Sequence, residues 1–178
     1  CSASDSGPAR SDYRGQVRLT PPSRSEFPPF DRTGGKTRLL VISDLHLEFG
    51  PFEFPSSMPA FDVAVFAGDM GQPISSAIAW MAAQRSGALR GARSIYVAGN
   101  HEFYGFELKR SLAEGRAAAS AAGIDFLSRN SVVIDGVRFI GCVLWTDYRL
   151  HGTPKPSMVF AGETLNDRAD YFDRINGR

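Results

Sequence analysis

Leu39-Leu40-Val41-Ile42-Ser43-Asp44-Leu45-His46 is an apolar run that ends in a carboxylate and an imidazole. The pattern recurs twice. Val63-Ala64-Val65-Phe66-Ala67 runs into Gly68-Asp69, and Ser94-Ile95-Tyr96-Val97-Ala98 runs into Gly99-Asn100-His101-Glu102. Short apolar runs rich in Val and Ile and closed by turn residues read as buried strands. Asp69 follows Asp44 by 25 residues and Asn100 follows Asp69 by 31, about one βα unit each, given the ~30 residues such a unit takes. Parallel strands joined by right-handed crossovers bring their C-terminal ends to one edge, where ligand sites collect. The chain is therefore expected to be α/β, with a sheet edge that carries metal-holding groups.

The remaining elements extend outward from these strands. Arg38 to Ser43 is nearly all apolar, as expected of a strand covered on both faces. Glu48 to Pro59 contains three prolines among aromatics and reads as an irregular connection. Phe61 to Ala67 is the second strand. Ile74, Ala77, Ile78, Met81 and Ala82 follow Pro73 at helical spacing and predict a helix ending before Gly87, with Trp80 and Met81 in the core. Phe106 to Ala122 predicts a second helix stopped by Gly123, with Lys109, Arg110 and Arg116 on a solvated face. Ile124 to Leu127 is a short fourth strand. Val132-Val133-Ile134, then Asp135-Gly136, then Val137 to Ile140 is a hairpin, because Asp-Gly suits the positive φ angles of a type I′ turn. Gly141 to Trp145 is expected to continue its second strand. After Thr146 the chain turns polar and irregular, and Glu163 to Ile175 reads as a last helix.

Length and composition bound the rest. At 178 residues there is room for one domain with a real core. Residues 1–36 are rich in Ser, Pro, Gly and Arg and are expected to be disordered, since they bury too little apolar surface to offset ordering entropy. Residues 37–178 form the expected domain. An apolar fraction of 43% and a charged fraction of 22% are ordinary for a soluble globular protein. A net charge of +1 creates no field to steer nucleic acid or an anionic membrane, so neither is an expected partner. No apolar stretch approaches the ~20 residues that span a bilayer. Cys1 and Cys142 make no disulfide framework, and Cys142 reads as a small buried hydrophobe. A cytoplasmic location is expected. The alternative is a lipoprotein anchored through Cys1, followed by a polar tether.

At the edge itself, Asp44 and His46 lie two apart, so in extended chain both point to one face and one ion takes both. Gly68 lets backbone approach closely at Asp69, whose two carboxylate oxygens can bridge two cations. Asn100 adds a neutral carbonyl oxygen. Oxygen with imidazole ligation suits manganese, iron or zinc. Two divalent ions ~3.5–4 Å apart, bridged by Asp69 and a hydroxide, would hold a phosphate and supply the nucleophile. His101 diverges from Asn100 in extended chain and is better placed to protonate a departing alkoxide.

Asp44-Leu45-His46, Gly68-Asp69 and Gly99-Asn100-His101-Glu102 resemble the first three signatures of the calcineurin-like metallophosphoesterases, with similarity running from about Leu39 to about Trp145. The resemblance implies a layered metallophosphoesterase-like fold with a mixed sheet and an antiparallel hairpin in its C-terminal part. It implies Asp44, His46 and Asp69 on a first metal, Asp69 and Asn100 on a second, and His101 as the catalytic histidine. Two further motifs of the family, which supply three more histidines, are absent, because this chain has only His46, His101 and His151. The expectation is an N-terminal portion of such a protein, with weak metal occupancy and poor activity. Family members that act on phosphoproteins carry an Asp-Arg pair after Gly-Asp. Here Met70-Gly71-Gln72-Pro73 follows, so a small phosphomonoester, phosphodiester or nucleotide is expected instead.

Plain readings stand beside these. Asp44 caps a turn, Gly68-Asp69 and Gly99-Asn100 are turns, and His101-Glu102 opens a helix. His151 is a surface histidine or a replacement ligand. Asp147 and Tyr148 line the substrate cleft or sit in a solvated loop. A remnant or interaction module that keeps the fold without the chemistry is the second functional reading. A nucleotide-binding domain lacks support, because no Gly-rich phosphate loop follows the first strand.

Overall fold

The computed structural model describes residues 36–144, 148–150 and 152–164. All but Lys36 of the segment expected to be disordered, and most of the expected last helix, therefore fall outside the described residues, as do Asp147 and His151. The elements in chain order are β1 (Leu39–Ile42), β2 (Val63–Ala67), α1 (Ile74–Gln84), β3 (Arg93–Val97), α2 (Leu108–Ala122), β4 (Asp125–Phe126), β5 (Asn130–Ile134), β6 (Val137–Gly141) and α3 (Pro154–Thr164). Strands β1 to β4 lie in that order in one parallel sheet, and β5 pairs with β6 antiparallel in a second. The expected mixture of strand directions is thus divided between two sheets.

Strand alternation sorts the core into two layers. Ala64, Phe66, Tyr96 and Phe126 face the helices and pack with Ile74, Ala77, Ile78 and Met81 of α1 and Ala119 of α2. Trp80 joins this layer as a half-buried ring stacked on Phe54. Val63, Ile95 and Leu127 face the other way and pack with Ile134 and, at their margin, Val132 and Phe139 of the hairpin. The molecule is built as helices, parallel sheet and hairpin sheet in three layers.

That layering corrects one expectation. β1 is covered on one face only, with Leu40 and Ile42 packed under the helices and Leu39 and Val41 exposed at 46% and 60%. The hairpin core reaches β2, β3 and Leu127 just past β4, but includes no residue of β1. Cys142 likewise is half-buried rather than buried.

Local chemistry sets the element ends. Glu107 caps α2 by accepting from the N–H groups of Lys109 and Arg110 at 3.0 and 2.6 Å. Gly123, at φ 65°, ends it in the left-handed conformation, with the Ile124 N–H donating to the Ala119 carbonyl at 2.9 Å. The hairpin turn is as expected, Asp135 and Gly136 standing at φ 49° and 78°. β6 ends at Gly141 rather than continuing toward Trp145. α3 begins at Pro154, inside the stretch expected to be irregular. A helix tolerates proline in its first turn, where backbone N–H groups have no intrahelical partner. Among the described residues no helix is long and apolar enough to cross a membrane.

Candidate metal centre

The loops leaving β1 and β2 continue the strand pairing beyond the strand ends. Asp44 N–H donates to the Gly68 carbonyl, His46 N–H to that of Asp69 and Leu47 N–H to that of Met70, each at 3.0 Å. Within this clamp Asp44, His46 and Asp69 hold left-handed backbone, at φ 56°, 47° and 52°. Such a conformation costs a residue with a Cβ about 1–3 kcal/mol, and Asp and His are among those that adopt it most readily. The two side chains of the first loop therefore converge through turned backbone, and not through the extended alternation expected from the sequence.

The result is a cluster. One ligand atom from each of Asp44, His46 and Asp69 lies within 4.8 Å of the other two. An ion coordinated at about 2.1 Å holds three mutually close donors about 3–3.6 Å apart, so this trio closes on an ion with movements of up to about 0.7 Å per donor. Two carboxylates and an imidazole suit manganese, iron or zinc. Asp44 is exposed, while His46 and Asp69 are half-buried.

β3 brings the third motif alongside. Gly99 lies against Asp69 so closely that a Cβ there would stand 2.7 Å from both the Asp69 Cγ and its backbone nitrogen. This is why glycine precedes Asn100. Asn100 caps a short 3₁₀ turn, His101–Phe103, and is helical rather than extended, at φ −83° and ψ −32°. Its amide nitrogen donates to the Tyr104 hydroxyl at 2.6 Å. The His101 N–H donates to Asp69 Oδ1 at 3.0 Å, which places its ring beside the trio. Of the four expected ligands three are brought together, while Asn100 follows Gly99 and precedes His101, which both lie against Asp69.

Two glutamates that the sequence reading did not assign organise this edge. Glu102 is fully buried, and its Oε1 accepts from the Met70 N–H at 2.8 Å and the Tyr96 hydroxyl at 2.9 Å. Its Oε2 accepts from the Gly99 N–H at 2.8 Å and the Asp69 N–H at 3.2 Å. One carboxylate thus ties the β2 loop to the β3 loop. Burial pushes its pKa up, and the bonds from Met70, Tyr96 and Gly99 offset part of that. Burial, then the Glu102 charge, pushes the Tyr96 hydroxyl well above its ordinary value, so it stays a donor.

Glu48 is the second. Its Oε1 lies 3.2 Å from His46 Nδ1 and 2.9 Å from His101 Nδ1, and the two rings meet edge to face with centroids 4.2 Å apart. The side chain is 9% exposed. Burial pushes its carboxyl up, but bonds from its own N–H and from the two imidazoles outweigh this and hold it below the usual range. Among the described residues its Oε2 has no hydrogen-bond partner. Glu48 with His46 and His101 forms a second trio of donors within 4.8 Å. Its mark in the sequence is a carboxylate two residues after His46 in the same loop.

Phe49 follows Glu48 at the same rim. It is 80% exposed and stands 5.9 Å from the His46 ring and 6.5 Å from the His101 ring.

A family model of calcineurin-like phosphoesterases matches residues 37–173. A comparison with curated proteins finds no match.

Proposed function

The chain belongs to the calcineurin-like phosphoesterases, and on that footing we propose that it is a hydrolase of small phosphomonoesters, phosphodiesters or nucleotides working with two divalent ions. Asp44, His46 and Asp69 would hold the first ion. Asp69 and Asn100 would hold the second. Bound divalent ions of manganese, iron or zinc supply Lewis acidity toward a phosphoryl oxygen and a water-derived nucleophile at neutral pH.

The other steps belong to side chains. His101, bonded through its backbone to Asp69, presents an imidazole beside the ion trio and protonates the leaving oxygen. Phe49, 80% exposed at the same rim, offers a face on which an aromatic leaving group can stack. Of the chain's three histidines, one serves the first ion and one the leaving group. Asp69 and Asn100 would offer the second ion oxygen donors.

The observation that carries this reading is the convergence of Asp44, His46 and Asp69 with His101 tied to one of them. The test is hydrolysis of a chromogenic aryl phosphate by purified protein with added manganese. Turnover lost in Asp69→Asn supports the enzyme. No turnover with manganese, iron or zinc supports a fold retained without chemistry.

A further inference from the structure

We infer that Glu48 is a positioning residue, whose single oxygen Oε1 sets the ring orientation and tautomer of His46 and His101 together. The inference rests on the functional reading above for what each imidazole then does. Its geometric basis is independent of that reading. Both Nδ1 atoms lie within hydrogen-bond distance of the same oxygen, at 3.2 and 2.9 Å. A carboxylate accepts and does not donate, so each ring must carry its proton on Nδ1. Each Nε2 is then left as the lone-pair nitrogen. For His46 this is the atom that can face an ion, and for His101 the atom that takes up and delivers a proton. A hydrogen bond to the far nitrogen is the usual way that a ligating imidazole is oriented.

The surroundings are built to hold that oxygen in place. The Glu48 side chain is 9% exposed and emerges from the loop clamped to β2 by the Leu47 N–H. Gly71 makes room for it, because a Cβ at that position would stand 3.1 Å from Leu47 Cβ and 3.4 Å from Glu48 Oε2. The edge-to-face packing of the two rings, 4.2 Å between centroids, makes their orientations interdependent. A perturbation at one carboxylate therefore reaches the ion trio and the proton donor at once.

The test begins with the metal-free full chain. Long-range ¹H–¹⁵N correlation spectra at about pH 8 report which ring nitrogen carries hydrogen. His46 and His101 are expected as Nδ1–H tautomers in the wild type. Glu48→Ala should return both to the Nε2–H form that dominates unconstrained imidazole. Glu48→Gln, whose amide oxygen still accepts, should keep Nδ1–H in at least one ring, and its spectrum shows whether the fold survives substitution. In hydrolysis, Glu48→Ala should lower kcat for an alkyl phosphate at least tenfold more than for an activated aryl phosphate, with KM changed less than threefold. Nε2–H rings in the wild type, or Nδ1–H rings in Glu48→Ala, would overturn the inference. So would loss of the His101 Nδ1–H on adding zinc, which would make Glu48 and both imidazoles a direct ion site. An inactive wild type with both Nδ1–H signals in place would count against the hydrolase and leave the positioning role standing.

Discussion

Replacing Glu102 by Gln changes one atom of a buried carboxylate and should weaken the tie between the two loops that carry Asp69 and Asn100. Each carboxylate oxygen accepts two bonds, Oε1 from Met70 N–H and Tyr96 hydroxyl, Oε2 from Gly99 N–H and Asp69 N–H. An amide puts NH₂ where one oxygen stood. If it replaces Oε2, two backbone N–H groups lose their acceptor. If it replaces Oε1, only the Met70 N–H does, since the Tyr96 hydroxyl can turn and accept. The second arrangement is the cheaper. A stranded buried donor costs about 1–3 kcal/mol, and the two surviving bonds weaken by about 1 kcal/mol each when their acceptor loses its charge. Removing a buried charge recovers part of this, consistent with the upward push of burial on this carboxyl. The net loss is about 2–4 kcal/mol, a large share of the 5–15 kcal/mol typical of a domain. Urea denaturation of Glu102→Gln and wild type, with manganese affinity measured on both, tests this. A stability change below about 1 kcal/mol with unaltered affinity would refute the reasoning.

Four other substitutions probe three separate features. Gly99→Ala places a methyl 2.7 Å from the Asp69 backbone nitrogen. It should weaken manganese binding at least tenfold, read by calorimetry, whereas equal affinity would show that Asp69 has room to move. Val41, 60% exposed, and Val63, fully buried, test the three layers. Val41→Thr should shift stability by less than about 0.5 kcal/mol and Val63→Thr should cost about 1–3 kcal/mol, by urea denaturation. Asp62 accepts from the Arg38 guanidinium and backbone N–H, and these bonds lower its pKa from 3.8 to about 2. A depressed folded pKa gives stability that is present above the unfolded value and lost as pH falls through the folded one. Asp62→Asn should therefore remove a pH dependence lying between pH 3.8 and about 2, measured from acid unfolding curves, and identical curves would contradict it.

The fold was legible where periodicity speaks for itself. Three apolar runs, two helical stripes and an Asp-Gly turn are patterns that local physics enforces, and each became the element expected. Coverage of β1 was not legible, because an apolar run such as Leu39 to Ile42 does not say how wide the neighbouring layer is. α3 was missed because Pro154 and Pro156 break a helix interior but are harmless at its start. At the site, the residues that cluster, Asp44, His46 and Asp69, could be named from type and order. Their convergence could not be derived correctly, since left-handed backbone at Asp44, His46 and Asp69 is set by the bonds to the β2 loop and leaves no mark in the sequence. Glu102 stands inside the third motif, but the motif does not say what its carboxylate bonds to. Its work as a four-donor acceptor depends on which backbone groups the fold brings to it.

The central claim is that Asp44, His46 and Asp69 form one divalent-ion site, and manganese titration of the purified chain by calorimetry tests it most directly. The account predicts saturable binding to the wild type, weakened at least tenfold in each of Asp44→Asn, His46→Gln and Asp69→Asn with the fold intact by circular dichroism. Equal affinity in the wild type and all three variants would contradict it.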